Sequence, residues 1–168
     1  MKNGRVSILH DMIPGTSMSD TYTHLLFHLI FGTKHRAPLI TAEIREDLYR
    51  YLTGIVSKIG GTLIAVGGMP DHVHLLVGLR PTHSVSEVMR DLKGSSSRWL
   101  NDMPGIAFAW QNGYGAFSVS GSNLATVARY ILHQEEHHRR FSFQDELREF
   151  LEKHGLKADP RSLDTLLD

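Results

Sequence analysis

The chain has 168 residues, which fits one domain with short tails and suffices to bury a hydrophobic core. Its 18 basic and 18 acidic side chains give a net charge of zero, which argues against a protein that coats nucleic acid without specificity. The absence of cysteine excludes disulfides, thiolate catalysis and cysteine-based zinc sites, and no apolar stretch approaches the ~18 residues of a membrane span, so we expect a cytoplasmic protein.

The spacing of apolar residues predicts four strands and four helices. In chain order they are a strand over 21–32, a helix capped by Thr41 and ended by Gly60, strands over 62–68 and 72–79, a helix from Ser84 to about Leu100, a strand over 116–120, a helix from Ser122 or Asn123 to about His138, and a helix over 143–154. Glu87, three residues after Ser84, predicts a capping box. The order βαββαβ followed by helices predicts an α+β, ferredoxin-like fold, in which two helices pack on one face of an antiparallel sheet and a C-terminal helix carries Tyr130.

Two histidines, His72 and His74, interrupt the apolar run of the third predicted strand. Residues two apart in a strand face the same side, so the imidazoles point together while Val73 and Leu75 fill the core on the other side. Two imidazoles on a rigid strand suit a metal site, although the H-x-H pattern is common by chance and also fits two surface histidines. Leu76 shares their face, which indicates a covered face where histidines need partners.

A third ligand is sought in the segment "ATVARYILHQEEHH". Tyr130 and Gln134 are four residues apart, so on a helix they stack on one face beside an apolar stripe. His133 and His137 have the same spacing and form a competing zinc site. Alternatively, Tyr130 is an amphipathic residue at the edge of the core and Gln134 faces solvent.

The chain resembles a single-tyrosine HUH transposase of the small insertion-sequence and REP-associated type. Four segments carry the resemblance in the family's order: "HLIFGTKHRAPLI", "GMPDHVHLLV", "SVSEVMRDLKGSSSRWL" and "WQNGYGAFSVS" with "VARYILHQEEHH". The resemblance implies that His72 and His74 bind a metal, that Gln134 is the third ligand, and that Tyr130 is the nucleophile. It implies a transposase domain over 21–155, between a flexible N-terminal extension (1–20), which lacks a signal peptide's apolar centre, and a C-terminal tail (156–168).

The activity that the resemblance implies is cleavage and rejoining of single-stranded DNA, with hairpins, through a 5′-phosphotyrosine link. The protein would serve a mobile element or act as a domesticated form on hairpin-forming repeats. The implied assembly is a homodimer in which two sheets join and the tyrosine helix of one subunit can complete the metal site of the other. Mg²⁺ or Mn²⁺ is favoured for a phosphate reaction, although imidazole ligands do not exclude Zn²⁺ or Ni²⁺.

Other side chains are candidates for DNA contacts, with an ordinary structural role as an equal alternative. The candidate phosphate contacts are Lys34, Arg36, Arg90, Lys93 and Arg98. The candidate base-stacking residues are Trp110, Tyr114 and Phe117. Asp71 either orients a ligand or caps the turn after Pro70, and the turn is favoured. Two other functions stay open at this point: a metal-dependent hydrolase that uses water, and a nucleic-acid-binding module without chemistry.

Overall fold

The computed structural model describes residues 22–137 and 143–156. Four antiparallel strands form a sheet: β1 (Leu25–Gly32), β2 (Thr62–Met69), β3 (His72–Leu79) and β4 (Gly115–Val119). Their spatial order is β2-β3-β1-β4, so the two strands at the centre are β1 and β3. The helices are α1 (Ala42–Lys58), α2 (Val85–Asn101), α3 (Leu124–Leu132), α4 (Gln134–His137) and α5 (Phe143–Lys153). The α+β, ferredoxin-like prediction is confirmed.

One face of the sheet forms the main hydrophobic core with α1 and α2. Strand alternation places Leu29 and Phe31 of β1 on this face, next to Val73, Leu75 and Val77 of β3. Helical spacing brings further buried side chains onto it: Leu48, Leu52, Val56, Val88, Met89, Leu92 and Leu100. Burying each of these side chains contributes roughly 1.5–3 kcal/mol. The odd-numbered residues of β3 thus lie in the main core, and the even-numbered ones lie on the opposite face of the sheet.

The opposite face of the sheet is covered by α3. Ala128 and Ile131 of α3 pack on Ala65 of β2 and Leu76 of β3, in a second and smaller cluster. The helix comes close because Gly67 of β2 has no side chain, since a Cβ there would collide with the carbonyl oxygen of Ile131. The residues that follow α3 are therefore held directly over the middle of the sheet.

The segment after α3 departs from the sequence prediction. A continuous helix to about His138 was expected, but α3 ends at Leu132 and α4 begins at Gln134. The backbone of His133 leaves the helical region, with φ −110° and ψ 27°, and its ring Nδ1 lies 2.7 Å from the carbonyl oxygen of Arg129. The backbone N–H of His133 donates to the same carbonyl at 3.2 Å, so the ring adds a second hydrogen bond at the end of α3.

The predicted N-cap residues occupy the predicted positions, but their side chains do not form the predicted hydrogen bonds. Thr41 and Ser84 occupy the N-cap positions of α1 and α2, but neither side chain makes a capping hydrogen bond. The hydroxyl of Ser84 lies 2.8 Å from that of Ser86. The capping box with Glu87 is therefore not formed.

Side chains of α2 hold the long loop that precedes β4. The ammonium group of Lys93 donates to three loop carbonyls, those of residues 111–113, at 2.5–3.0 Å. Asn101 pairs with the backbone of Phe108 in both directions, at 2.7 and 2.8 Å, as a neighbouring strand would. The loop is thereby fixed without regular secondary structure.

Within the described residues, no helix is long and apolar enough to cross a bilayer.

Candidate active site

Both histidines of the predicted pair lie on the sheet face that α3 covers. His72 pairs with Met69 across the β2–β3 ladder, and His74 pairs with Gly67. The two side chains are buried, at 1% and 0% exposure, and their ring centroids lie 5.0 Å apart. Leu76 packs under α3, so the expectation that this face is covered is confirmed.

Asp71 holds His72 from the turn that precedes β3. Its Oδ1 lies 2.8 Å from Nδ1 of His72, and its Oδ2 lies 2.6 Å from Nη2 of Arg36. Because an ionised carboxylate only accepts hydrogen bonds, Nδ1 of His72 carries the proton and the lone pair of the ring lies on Nε2. Of the two roles considered for Asp71, the contact favours orientation of a predicted ligand over the turn alone.

The pKa values of this pair favour a neutral imidazole beside an ionised carboxylate. Burial lowers the pKa of His72 below its ordinary value, and hydrogen bonds with Asp71 and Gln134 oppose that shift. Burial raises the pKa of the Asp71 carboxyl, but the hydrogen bond from His72 and the charge of Arg36 outweigh it and hold this pKa below its ordinary value. A neutral His72 is the form that can bind a cation.

Arg36, a predicted phosphate contact, is engaged with Asp71. Its side chain is 15% exposed. Gly32 leaves the necessary space, because a Cβ there would lie 2.9 Å from Nη1 of Arg36 and 3.1 Å from Oε1 of Gln111. The backbone at His35 and Arg36 has φ of 56° and 54°, in the left-handed region that such residues rarely adopt. The turn after β1 is thus shaped to bring a guanidinium to the carboxylate beside His72.

His74 meets a third imidazole that the sequence reasoning missed. Nε2 of His28, on β1, lies 2.9 Å from Nδ1 of His74, and the His28 side chain is 1% exposed. Desolvation by burial, with the nearby charge of His154 as a lesser cause, lowers the pKa of His28 to about 3. His28 is therefore neutral at physiological pH. The signal was present in the sequence, since His28 interrupts the apolar run of β1 as His74 interrupts that of β3.

Tyr130 of α3 lies beside these imidazoles in the same chain. Its ring centroid is 5.9 Å from that of His74 and 6.1 Å from that of His28, both with edge-on geometry. The hydroxyl oxygen is buried. The juxtaposition of a phenol from a late helix with imidazoles from the middle of the chain is thus present within one subunit.

Gln134 is buried at 2% exposure, which excludes the solvent-facing alternative. It forms a hydrogen bond with His72. The prediction that Tyr130 and Gln134 share one helix face is wrong, because the break at His133 separates them onto α3 and α4. Both side chains nevertheless reach the histidine pair.

An aromatic side chain of α5 covers the other flank of the site. The ring of Phe150 lies 5.1 Å from His28, 5.8 Å from Tyr130 and 5.5 Å from Phe117. Phe117 is 5% exposed and Trp110 is 8% exposed, so these two predicted base-stacking residues lie in the interior, where a base does not reach them. Tyr114, at 36% exposure, stays a candidate.

The remaining basic candidates lie in the turn after β1 and on α2. Lys34 is exposed in that turn. Arg90 and Arg98 are exposed on α2, whose layer lies on the sheet face opposite the histidines. Lys93 is committed to the loop carbonyls described above, and burial lowers its pKa. The phosphate role of these residues stays a prediction.

The competing zinc site receives no geometric support. His133 is exposed, and its Nδ1 is within hydrogen-bonding distance of a helix carbonyl. The side chain of His137 lies outside the described residues. In the parts of the chain that the structure describes, no three His, Cys, Asp or Glu side chains form a metal cluster.

The donor set around the histidine pair fits a divalent cation. Nδ1 of His72 faces Asp71 and Nδ1 of His74 faces His28, so Nε2 is the ring atom that each histidine would offer to a cation. Gln134 of α4 brings a buried side-chain amide next to His72. Gln111 is a further missed residue near this site: its Oε1 is buried and has no hydrogen-bond partner among the described residues. Nothing in its sequence context distinguishes it.

Comparison with known proteins matches residues 21–134 to the family model "Transposase IS200 like". The chain belongs to this IS200-like, single-tyrosine HUH transposase family. The matched range contains His72, His74, Tyr130 and Gln134, so the resemblance read from the sequence is confirmed.

This transposase is 29% identical to the ISDra2 transposase TnpA of Deinococcus radiodurans over 119 residues, 67% of this chain and 85% of that protein. It is 30% identical to the IS200 transposase of Salmonella typhimurium, over 71% of this chain and 83% of that protein. A crystal structure of a putative transposase from Deinococcus radiodurans superimposes with a TM-score of 0.57 at 31% identity, covering 71% of this chain and 97% of that one.

A REP-associated tyrosine transposase bound to a REP hairpin superimposes with a TM-score of 0.52. It covers 70% of this transposase and 71% of that chain, at 13% identity, so it bears on the fold alone. The family model and the IS200 relative identify the chain as a transposase.

Proposed function

We propose that this transposase cleaves and rejoins single-stranded DNA by transesterification, with Tyr130 as the nucleophile. A divalent cation would be held by His72, His74 and Gln134. The observation that carries the proposal is the position of the Tyr130 ring, 5.9 Å from that of His74, on the sheet face where the imidazoles of His72 and His74 are buried and hydrogen-bonded.

In the proposed reaction, Oη of Tyr130 bonds to a DNA phosphorus while the bond from phosphorus to the 3′ oxygen breaks. The tyrosine releases its proton and the leaving 3′ oxygen takes one up, which yields a 5′-phosphotyrosine and a free 3′-hydroxyl. A phenol suits this step because its oxygen leaves more readily than an alkoxide, so a 3′-hydroxyl can later reseal the strand. A phenol with an ordinary pKa near 10 needs assistance at neutral pH.

A bound cation, Mg²⁺ or Mn²⁺, would supply charge that polarises the scissile phosphate and offsets the negative charge of the transition state. The residues of the chain provide the rest. His72 and His74 offer nitrogen ligands, and Asp71 keeps the proton of His72 away from the ligand atom. α3 and Phe150 cover the site and keep water from the reacting phenol.

The DNA is proposed to be single-stranded and hairpin-containing. The family assignment supports DNA as the substrate, and the REP-associated structural neighbour is bound to a REP hairpin. A homodimer with joined sheets is likewise proposed. It requires an edge strand, which in this fold is β2 or β4.

The test is formation of a covalent adduct on hairpin-bearing single-stranded DNA that carries the cognate site, with Mn²⁺ or Mg²⁺. We expect an adduct with the wild type that is lost with Tyr130→Phe and on chelation of the metal. Tyr51→Phe is the matched control, because Tyr51 stacks on Trp99 in the opposite layer and keeps its ring in the variant. Denaturing gel electrophoresis with labelled DNA measures the adduct.

Two outcomes would overturn the mechanism. Cleavage by Tyr130→Phe without an adduct would identify a water-using hydrolase. DNA binding that leaves the strand intact, unchanged by His72→Ala, would identify a binding module.

A further inference from the structure

The two predicted metal ligands, His72 and His74, have different hydrogen-bond partners on Nδ1. His72 donates to a carboxylate, which fixes its tautomer by itself. His74 has an imidazole at 2.9 Å, that of His28, and such a contact has two possible directions. Either His74 donates its Nδ1 proton to Nε2 of His28, or His28 donates to Nδ1 of His74. Only the first direction leaves a lone pair on Nε2 of His74, where a cation would bind.

We propose that His28 is a positioning residue that accepts the Nδ1 proton of His74 and so keeps Nε2 of His74 available to the metal. The inference rests on the proposed metal site and deepens it, since no comparison assigns a role to His28. It extends the set of residues that shape the site from β3 to the neighbouring central strand β1.

The surroundings of His28 hold its ring in place. On β1 it pairs with Leu76 of β3, so it is the diagonal neighbour of His74 on the same face. Its ring packs edge-on against Phe150 at 5.1 Å and Tyr130 at 6.1 Å. With 1% exposure, the side chain has little freedom to rotate away from His74.

The choice of an imidazole as support has a chemical consequence. A buried imidazole is neutral and offers one lone pair, so it accepts a hydrogen bond without adding negative charge. A second carboxylate at this position would neutralise more of the cation's charge. The pair Asp71 and His28 therefore orients both ligands and introduces one negative charge in place of two.

The first experiment reads the tautomer directly. Long-range ¹H–¹⁵N correlation spectra of the full chain with labelled histidine distinguish a proton on Nδ1 from one on Nε2. We expect the proton of His74 on Nδ1 in the metal-free wild type. His28→Gln preserves it, because the amide oxygen can accept near the position of Nε2, and His28→Leu loses the preference. A proton on Nε2 of wild-type His74 would overturn the proposal.

The second experiment measures Mn²⁺ binding by electron paramagnetic resonance, without DNA. We expect His28→Leu to weaken binding by about 10–100-fold, the range typical for outer-shell partners, and His28→Gln to stay close to the wild type. His83→Leu is the matched control, since His83 also makes a 2.8 Å hydrogen bond, to the carbonyl of Ile59, in a different part of the molecule. Unchanged binding by His28→Leu, or equal losses in both His28 variants, would overturn the proposal.

Failure here is distinguishable from failure of the proposed function. An adduct that persists in Tyr130→Phe would show that Tyr130 is not the nucleophile. It would have no bearing on the tautomer of His74. If His28→Leu does not fold, the wild-type tautomer and the His28→Gln titration still decide the question.

Discussion

Side chains in the site are held in place by hydrogen bonds to other side chains. Asp71 is the clearest case, because one carboxylate joins Nδ1 of His72 to the guanidinium of Arg36. It belongs to the turn between β2 and β3, while Arg36 belongs to the turn after β1. The orientation of His72 thus depends on the geometry of two separate turns.

We expect Asp71→Asn to weaken Mn²⁺ binding by about 10–100-fold and to reduce the yield of the DNA adduct. The amide retains the size of the carboxylate but loses the charge that pairs with Arg36, and it can turn its amino group toward His72. Titration with Mn²⁺ measures the first effect and the gel assay the second. Asp91→Asn, on the outer side of α2, is the control and should change neither. Wild-type affinity in Asp71→Asn would refute the orienting role.

At the scale of elements, the position of α3 is decided by one missing side chain on β2. Gly67 lies under the carbonyl of Ile131, directly after Tyr130 in the chain. A larger residue there has to lift the end of α3 from the sheet, and with it the phenol and Gln134.

We expect Gly67→Ala to destabilise the fold by about 1–3 kcal/mol, as overpacking does, and to lower adduct formation further than the stability loss explains. Gly54→Ala is the matched control, because Gly54 lies in α1 with open space around its Cα. In that variant the free energy of unfolding should rise by about 0.5–1 kcal/mol, because alanine favours the helix more than glycine does. Chemical denaturation measures both. A Gly67→Ala protein with wild-type stability and adduct yield would contradict the close approach.

The elements themselves were largely predictable from the sequence. Alternation along β1 and β3 and helical spacing in α1 and α2 reflect burial on one side, which is a local property of each segment. The break at His133 was not predictable, because it follows the point where α3 packs against Gly67 of β2, a contact that exists only in the folded chain. The partners of the histidines were missed for the same reason: His28 and Arg36 meet β3 and its turn only after the sheet has formed.

For the whole molecule, the sheet separates two tasks. The α1–α2 face supplies the core that folds the chain, and the α3 face carries the imidazoles, the phenol and the amide. All four predicted site residues meet within one subunit. The alternative, in which the tyrosine helix of one subunit serves the other, would need α3 to leave this face.

We therefore expect Tyr130→Phe and His72→Ala subunits to remain inactive when they are mixed. In a cis site neither subunit is complete, whereas exchange of α3 would create one complete site in each mixed dimer. Two different affinity tags isolate the mixed dimer, and the adduct assay measures its activity. Wild type mixed with His72→Ala is the positive control. Adduct formation by the two inactive variants together would show exchange, and failure to isolate any mixed dimer would refute the homodimer.

The cysteine-free composition has a practical consequence for following this chemistry in solution. Gly94 lies on α2 with no heavy atom within 4 Å of a Cβ built there, and α2 packs on the side of the sheet away from the histidines. Gly94→Cys would give the chain a unique thiol for a fluorescent reporter, because no other cysteine competes for it. Paired with a dye on the DNA, such a reporter would register strand capture and release in real time.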